Sequence, residues 1–254
     1  HCGVGFGLMM SGHNAVLFVK QLDFMMLGID HFVSTYGSIR ATKYKQPLGS
    51  FTIVTALYDQ GFQGPQSSFR GLNEICSMSG ASGFLLQENA DAKKVVVSEM
   101  SKPGFRFIAL SQRMANDEVL ETEIISASPD NSVIQFVQGN DATIVCFGYT
   151  LVHGKSLISA IRDLGRTASL FTVNYVRDAN WSIAISEASK NKKLVIIDDT
   201  RGPTSLAFRF LADVLEFDKN VVFTIVRNRE DLSTTVSDEK FDFKSEEVIA
   251  QVFG

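Results

Sequence analysis

Short apolar runs alternate with longer segments of helical period along most of the chain. The short runs are rich in β-branched residues, which is typical of buried strands. The longer segments repeat apolar residues every three or four positions, which predicts helices. This alternation predicts an α/β fold with parallel sheets flanked by helices. The predicted strands span 15–19, 50–57, 83–87, 105–111, 142–149, 168–176, 193–199 and 221–226, and the predicted helices span 23–40, 68–77, 150–165, 181–191 and 203–217, with one more starting at Asn89.

The alternation breaks between about 112 and 141, which divides the chain into two parts. "RMANDEVLETE" is charged, and "SPDNS" and "QGND" are turn-rich. We expect this segment to connect two domains and to carry an extra strand or hairpin. The sequence therefore predicts two tandem domains, 1–125 and 126–254, each a mainly parallel sheet flanked by helices.

The composition indicates a chain that can bury a substantial core, and it argues against two kinds of partner. Hydrophobic residues make up 45% of the 254 residues and charged residues 20%, an ordinary balance for a globular protein. The formal net charge is −4, whereas nucleic-acid binding favours a basic surface. No uncharged apolar run reaches about 18 residues, so we expect no membrane span.

The cysteines and histidines show no metal-binding spacing. The three cysteines, Cys2, Cys76 and Cys146, lie far apart without a CxxC pair, which favours reduced thiols in a cytoplasmic protein. The four histidines form no HExxH or HxH pattern. We therefore expect no metal site formed by this chain alone.

The glycines of "GVGFG" (3–7) suggest two alternatives. Closely spaced glycines let a phosphate approach a helix N-terminus, but no strand precedes them and the spacing is GxGxG rather than GxGxxG. Close packing of a helix through small residues is the favoured interpretation.

Two further stretches follow predicted strands. The Gly-rich loop 58–71 is either a ligand-binding loop or an ordinary surface loop; its serines, Ser67 and Ser68, lack the GxSxG context of a catalytic triad. Asp198 and Asp199 end the strand in "LVIIDDT" and could serve acid–base or Mg²⁺ chemistry. Capping of the next helix, or an interface role, is favoured for this pair.

Four stretches together carry a resemblance to a known family: "GVGFGLMMSGHNAVLFVKQLDFMMLGIDHFV", "GPQSS", "NDATIVCFGYTLVHGKSLISAIRDLG" and "KKLVIIDD". In order and content they resemble the beta subunit of thiamine-diphosphate-dependent 2-oxo acid dehydrogenases. More broadly, they are similar to the pyrimidine-binding and C-terminal domains of transketolase and deoxyxylulose-phosphate synthase. The resemblance covers nearly the whole chain and rests on the sequence of elements rather than on one sharp motif.

The resemblance implies an enzyme component that needs a partner. In such enzymes the diphosphate and Mg²⁺ are held by an alpha-type subunit or a preceding domain, and the aminopyrimidine ring enters this chain. The cofactor serves as an electron sink at a 2-oxo acid or ketose carbonyl. The resemblance implies a homodimer of this chain or an alpha2beta2 assembly.

The same resemblance assigns site residues. Phe24 falls at the aromatic position that packs on the pyrimidine, with Leu22 and Gln21 beside it. Gln66 and Ser67 fall in the family's Gln-His-Ser region, where Ser67 replaces the histidine. His1 is a further catalytic candidate.

The sequence differs from the family at two catalytic positions, and these differences suggest an alternative function. The glutamate that activates the cofactor is expected one to three residues upstream of His1, and the first glutamate in this chain is Glu74. A serine at 67 cannot replace a histidine in proton transfer near neutral pH. The alternative is a non-catalytic structural or regulatory subunit of such a complex.

A third departure concerns the substrate. Sugar-phosphate-using relatives carry an arginine where Ala109 stands, which favours a 2-oxo acid unless Arg106 or Arg113 compensates.

Overall fold

The computed structural model describes residues 1–42, 47–57, 71–111, 123–200, 205–227 and 241–254. They form two compact units. Unit 1 comprises His1–Glu121 with Tyr175–Arg177, and unit 2 comprises Thr122–Asn174 with Asp178–Gly254. The assignment of these units as a pyrimidine-binding domain and a C-terminal domain, with a boundary at 125/126, stays a prediction.

Unit 1 is a parallel sheet of four strands in the order β1-β2-β4-β3. The predicted strands 15–19 and 50–57 are confirmed at both ends, because their apolar β-branched residues are bounded by polar and glycine-containing turns. The elements of unit 1 are α1 (Cys2–Met10), β1 (Ala15–Val19), α2 (Tyr36–Ala41), β2 (Ser50–Leu57), α3 (Leu72–Ser79), β3 (Ser82–Leu86), α4 (Asn89–Glu99) and β4 (Gly104–Ser111).

The segment predicted as one helix over 23–40 is helical but changes pitch twice. A 3₁₀ helix spans Leu22–Gly28 and a π-helix spans His31–Thr35, before α2 continues the chain. The changes of pitch accompany tertiary packing, since Phe32 and Tyr36 both bring their rings against Phe105, at centroid distances of 5.4 and 5.2 Å. Local propensity alone does not encode that packing.

The core on one face of this sheet is aromatic. The Phe6 ring of α1 packs against the rings of Phe51 and Phe105 at 5.1 and 4.9 Å. This approach needs Gly5, because a Cβ there would lie 2.4 Å from the Phe51 ring. The prediction that the glycines of 3–7 serve close helix packing is therefore confirmed at Gly5.

Unit 2 is a sheet of six strands in the order β10-β9-β7-β8-β6-β5. Strands β7 to β10 are mutually parallel, and β6 runs antiparallel to both β5 and β8. The extra hairpin expected between the domains is therefore confirmed as β5 and β6. The elements are β5 (Ser126–Ala127), β6 (Val133–Val137), β7 (Ala142–Phe147), α5 (Leu151–Asp163), β8 (Ala168–Val173), α6 (Ser182–Asn191), β9 (Lys193–Asp198), α7 (Leu206–Phe217), β10 (Val222–Arg227) and α8 (Ser245–Phe253).

Both faces of the unit 2 sheet are covered by helices. Helices α6 and α7 pack on one face, where Phe171, Ile196 and Phe210 are at most 1% exposed. Helices α5 and α8 pack on the other, where Ile144 and Val195 are fully buried. Within the described ranges, no helix is both long and apolar enough to cross a bilayer.

Candidate functional site

A cavity of about 520 Å³ lies at the carboxyl end of β1, beside the first turn of α1. Its walls come from three consecutive pieces of chain, namely the start of α1, the end of β1, and the 3₁₀ and π segments that follow. Ligands of α/β folds commonly bind at the carboxyl ends of parallel strands. The lining residues are His1, Cys2, Leu17, Phe18, Val19, Phe24, Met25, Leu27, Gly28 and His31.

Two of the predicted site residues, His1 and Phe24, line this one cavity. Phe24 belongs to the 3₁₀ helix and is 51% exposed, so its ring is not buried in the core and remains accessible to a ligand. The cavity therefore combines an accessible aromatic surface with an imidazole. Such a wall suits a flat heterocycle, which can stack on the ring and accept or donate a hydrogen bond at its edge.

His31 is a second imidazole in the cavity wall, and the sequence analysis did not select it. Its Nδ1 lies 3.2 Å from the hydroxyl of Thr35, one turn later in the helix. The ring lies alongside Gly3, where a Cβ would be 3.5 Å from the His31 Cε1. His31 is the first residue of the π-helix, a type of irregularity that often occurs at functional sites. The spacing of His31 and Thr35, four residues apart in a predicted helix, is the sequence signal that could have identified His31 as a site residue.

The base of the cavity is tightly packed around Cys2. A Cβ at Gly28 would lie 2.8 Å from the Cys2 Sγ, so only glycine fits there without rearrangement. Burial raises the pKa of the Cys2 thiol, which keeps it in the unreactive thiol form. Cys2 therefore shapes the cavity rather than supplying a nucleophile.

The other predicted site residues lie elsewhere. Leu22 is fully buried and Gln21 is 4% exposed, and neither lines the cavity. Gln66 and Ser67 fall in 58–70, outside the described residues. The assignment of all four to the site stays a prediction.

Asp198 and Asp199, at the carboxyl end of β9, are engaged in local structure. Asp198 accepts hydrogen bonds from the hydroxyls of Thr200 and Ser205, and Ser205 caps α7 by accepting one from the Ala207 amide at 3.0 Å. The N-cap residue of α7 is therefore Ser205 and not one of the aspartates, and Asp198 contributes indirectly by holding the hydroxyl of the capping serine.

Asp199 stabilises the neighbouring turn. Its Oδ1 accepts a hydrogen bond from the Tyr149 amide at 3.1 Å. The same oxygen would lie 1.9 Å from a Cβ at Gly148, whose φ of +69° also favours glycine.

Arg106 has a structural environment that does not suit substrate phosphate binding. Its side chain is 3% exposed and donates to the carbonyl oxygens of Met100, Pro103 and Gly104 at 3.2–3.3 Å. Burial lowers the pKa of its guanidinium. The idea that Arg106 compensates for the arginine missing at Ala109 is therefore wrong, because its donors are bound to carbonyls of the segment that joins α4 to β4. Arg113 lies outside the described residues.

No cluster of three or more His, Cys, Asp or Glu side chains suited to a metal ion occurs among the residues that the structure describes. In the part of the chain that the structure describes, the cavity lining includes two imidazoles and one thiol but no carboxylate. Its chemistry is therefore that of a mainly apolar pocket with hydrogen-bonding imidazoles at the rim.

Comparison with solved structures supports a fold assignment. A split gene transketolase, described as an inactive beta4 tetramer, matches with a TM-score of 0.65 at 16% identity, over 98% of this chain and 78% of that chain. No protein-family model matches the sequence, and no curated protein does. The fold is therefore transketolase-like, which confirms the predicted fold class of parallel and mixed sheets flanked by helices.

Proposed function

We propose that the chain is the pyrimidine-binding component of a thiamine-diphosphate-dependent enzyme acting on a 2-oxo acid or ketose. The observation that carries the proposal is the cavity at the end of β1, where Phe24 and His1 meet. The transketolase-like fold supports the same family.

The cavity suits the aminopyrimidine part of the cofactor. Phe24 offers a half-exposed ring face for stacking. Met25 and Leu17 supply apolar walls, and His31 supplies a hydrogen-bonding group whose orientation Thr35 restrains. When bound, the cofactor supplies the carbanion and its electron sink; this chain's residues bind and orient the ring and exclude water from it.

A partner chain is part of the proposal. The diphosphate and Mg²⁺ ligands are assigned to an alpha-type subunit that docks beside the cavity. Support comes from exposed apolar side chains around it, with Val4, Phe18 and Leu27 exposed by 68, 76 and 92%. Apolar patches of this kind typically mark interaction surfaces.

The proposal is tested by calorimetric titration of thiamine diphosphate with Mg²⁺ into the protein alone and into its mixture with an alpha-type subunit. We expect tight binding only in the mixture, weakened at least about ten-fold by Phe24→Ala, the loss of one stacked ring contact. Phe217→Ala is the matched control, because Phe217 is similarly exposed, at 66%, but belongs to unit 2. Equal affinity in all three proteins would contradict the assignment of the cavity.

The second candidate is a non-catalytic subunit that completes such a complex. It is favoured by the cavity lining, in which the described residues supply imidazoles but no carboxylate, and the transketolase neighbour is itself described as inactive. Turnover assays of the same mixture separate the two candidates. Cofactor binding with turnover supports the enzyme, whereas complex formation without cofactor binding supports the structural subunit.

A further inference from the structure

Strand β10 is an edge strand of the unit 2 sheet, with one edge directed away from β9. Strand β10 ends the sheet order, and no strand among the described residues pairs with its outer side. Its first five residues, Val222–Val226, contain no charge, proline or bulge, and Val222 and Phe223 are 63% and 43% exposed. Natural edge strands usually carry such protective features, and an edge without them is a template for pairing with another strand.

The hydrogen-bonding groups of this edge can be assigned. The Val222 amide donates to the Lys192 carbonyl at 2.9 Å, on the side of β9. Because successive residues of a strand direct their backbone groups to opposite sides, Phe223 and Ile225 direct their N–H and C=O groups outward. These two residues therefore offer donors and acceptors to an incoming strand.

The edge is self-complementary in one antiparallel register. If Thr224 lies opposite Thr224 of a second copy, Phe223 lies opposite Ile225, and Val222 lies opposite Val226. Phe223 and Ile225 then form the hydrogen-bonded pairs, which agrees with the outward direction of their backbone groups. Aromatic–β-branched and Thr–Thr cross-strand pairs are both favourable.

The surface beside this strand is partly apolar and partly charged. Phe208 and Phe217 of α7 are 40% and 66% exposed, and Asp242, Lys244 and Glu247 line a cavity together with Thr224, Ile225, Val226 and Arg227 of β10. The guanidinium of Arg227 lies 4.9 Å from the centre of the Phe208 ring, which places α7 next to the end of β10. The side chain of Arg227, the only charged residue of β10, is therefore directed toward α7.

We propose that β10 pairs antiparallel with β10 of a second copy of this chain, centred on Thr224, to give a symmetric dimer with a continuous sheet. Such an interface is isologous, because the same strand serves both copies. Strand β1, an edge of the unit 1 sheet, is shorter than β10, and its last three residues line the cavity of unit 1. The inference is independent of the proposed cofactor function.

Disulfide trapping tests the register. In the proposed dimer, Thr224→Cys places two thiols in a non-hydrogen-bonded pair with Cα atoms about 4.5 Å apart, within disulfide reach. Val222→Cys is the matched control: its two copies lie four residues apart along the strand, about 14 Å, although Val222 is the more exposed position. The native cysteines are all buried, so they add little background.

With a mild oxidant, we expect crosslinking on the order of ten-fold faster at 224 than at 222. Sedimentation of the unmodified chain should give a dimer or a multiple of it, and Val222→Lys should reduce that mass while leaving the circular dichroism unchanged. Equal crosslinking at both positions, a monomeric unmodified chain, or Val222→Lys with unchanged mass would each overturn the proposal.

Discussion

The sheets of the two units differ in how completely their faces are covered. In unit 2, α6 and α7 cover one face and α5 and α8 the other, as is usual for parallel sheets. In unit 1, α4 covers the end of one face, where Phe84 and Ile108 are at most 3% exposed. Val16 and Phe18 share that face through their pairing with Thr52 and Val54, yet they are 43% and 76% exposed.

This difference indicates which unit leaves apolar surface that another molecule could bury. In unit 2, helices cover both faces of the sheet, and β10 is one of its two edge strands. Unit 1 leaves apolar side chains of β1 in solvent next to the cavity, and a parallel sheet rarely leaves a face bare. The contrast supports assigning the docking of a different chain to unit 1.

The largest expected effect comes from the aromatic core of unit 1. Phe105 is 2% exposed and contacts the rings of Phe6, Phe32 and Phe51. Phe105→Ala should lower the free energy of unfolding by about 3–5 kcal/mol, because it leaves a cavity in a close-packed core. Urea denaturation measures the change. Phe210→Ala, at a fully buried position of unit 2, should cost a similar amount; a much smaller loss at Phe105 would show that unit 1 is loosely packed.

A smaller effect is expected where α1 meets the sheet. Gly5→Ala should destabilise the protein by about 1–3 kcal/mol through overpacking, since the new methyl would lie 2.4 Å from the Phe51 ring. Gly7→Ala in the same helix meets nothing within 4 Å and should instead stabilise by about 0.5–1 kcal/mol. Thermal melts of both variants provide the check, and equal shifts would refute the close approach at Gly5.

Asp130, in the turn between β5 and β6 of unit 2, should make a pH-dependent contribution to the stability of the protein. Burial acts to raise the pKa of Asp130, but hydrogen bonds from the Ser128 and Ser132 hydroxyls and from backbone amides outweigh it, so the pKa is lowered. A carboxyl whose folded pKa lies below its unfolded value stabilises the protein above the unfolded pKa, about 3.9. This stabilisation is lost as the pH falls through the lower, folded pKa.

Asp130→Asn tests this contribution. The variant should melt below the unmodified protein at neutral pH, and the gap should close as the pH falls below about 4. Melting temperatures across the acidic range measure it. A gap that stays constant with pH would show that the carboxylate charge is not involved.

The smallest effect on stability is expected on the uncovered part of the unit 1 face. Phe18→Ser should change the free energy of unfolding by less than about 0.5 kcal/mol, because the ring is mostly in solvent. It should nevertheless weaken binding of an alpha-type subunit, measured by calorimetry. Phe84→Ser, at a buried position of the same face, should be strongly destabilising. Similar stability losses for the two variants would show that the covered and the uncovered parts of this face do not differ in burial.

Much of the secondary structure followed from local pattern. Strands 15–19 and 50–57 coincide with β1 and β2 because β-branched runs bounded by turns need no distant information. Helix α8 was missed, although five of its nine residues are apolar; Val248 and Val252 are buried because α8 packs on the sheet. The 3₁₀ and π segments were also missed, since they accompany the packing of Phe32 and Tyr36 against Phe105.

The candidate site was predicted only in part. Phe24 and His1 were selected through a resemblance, and the structure brings both to one cavity. Leu22 and Gln21 were selected with Phe24 as its neighbours in sequence; they are 0% and 4% exposed, and their assignment to the site stays a prediction. His31 enters the cavity only because the chain folds back over Gly3.

The sequence by itself determined which runs form strands and that two α/β sheets follow one another, because hydrophobic period and turn residues act locally. Only the tertiary structure decided which of those apolar residues are buried. Val195 and Val16 both lie in apolar strands, yet one is fully buried in a central strand and the other is 43% exposed on an edge strand. Burial depends on the elements that pack across a strand, and their positions are set by contacts distant in sequence.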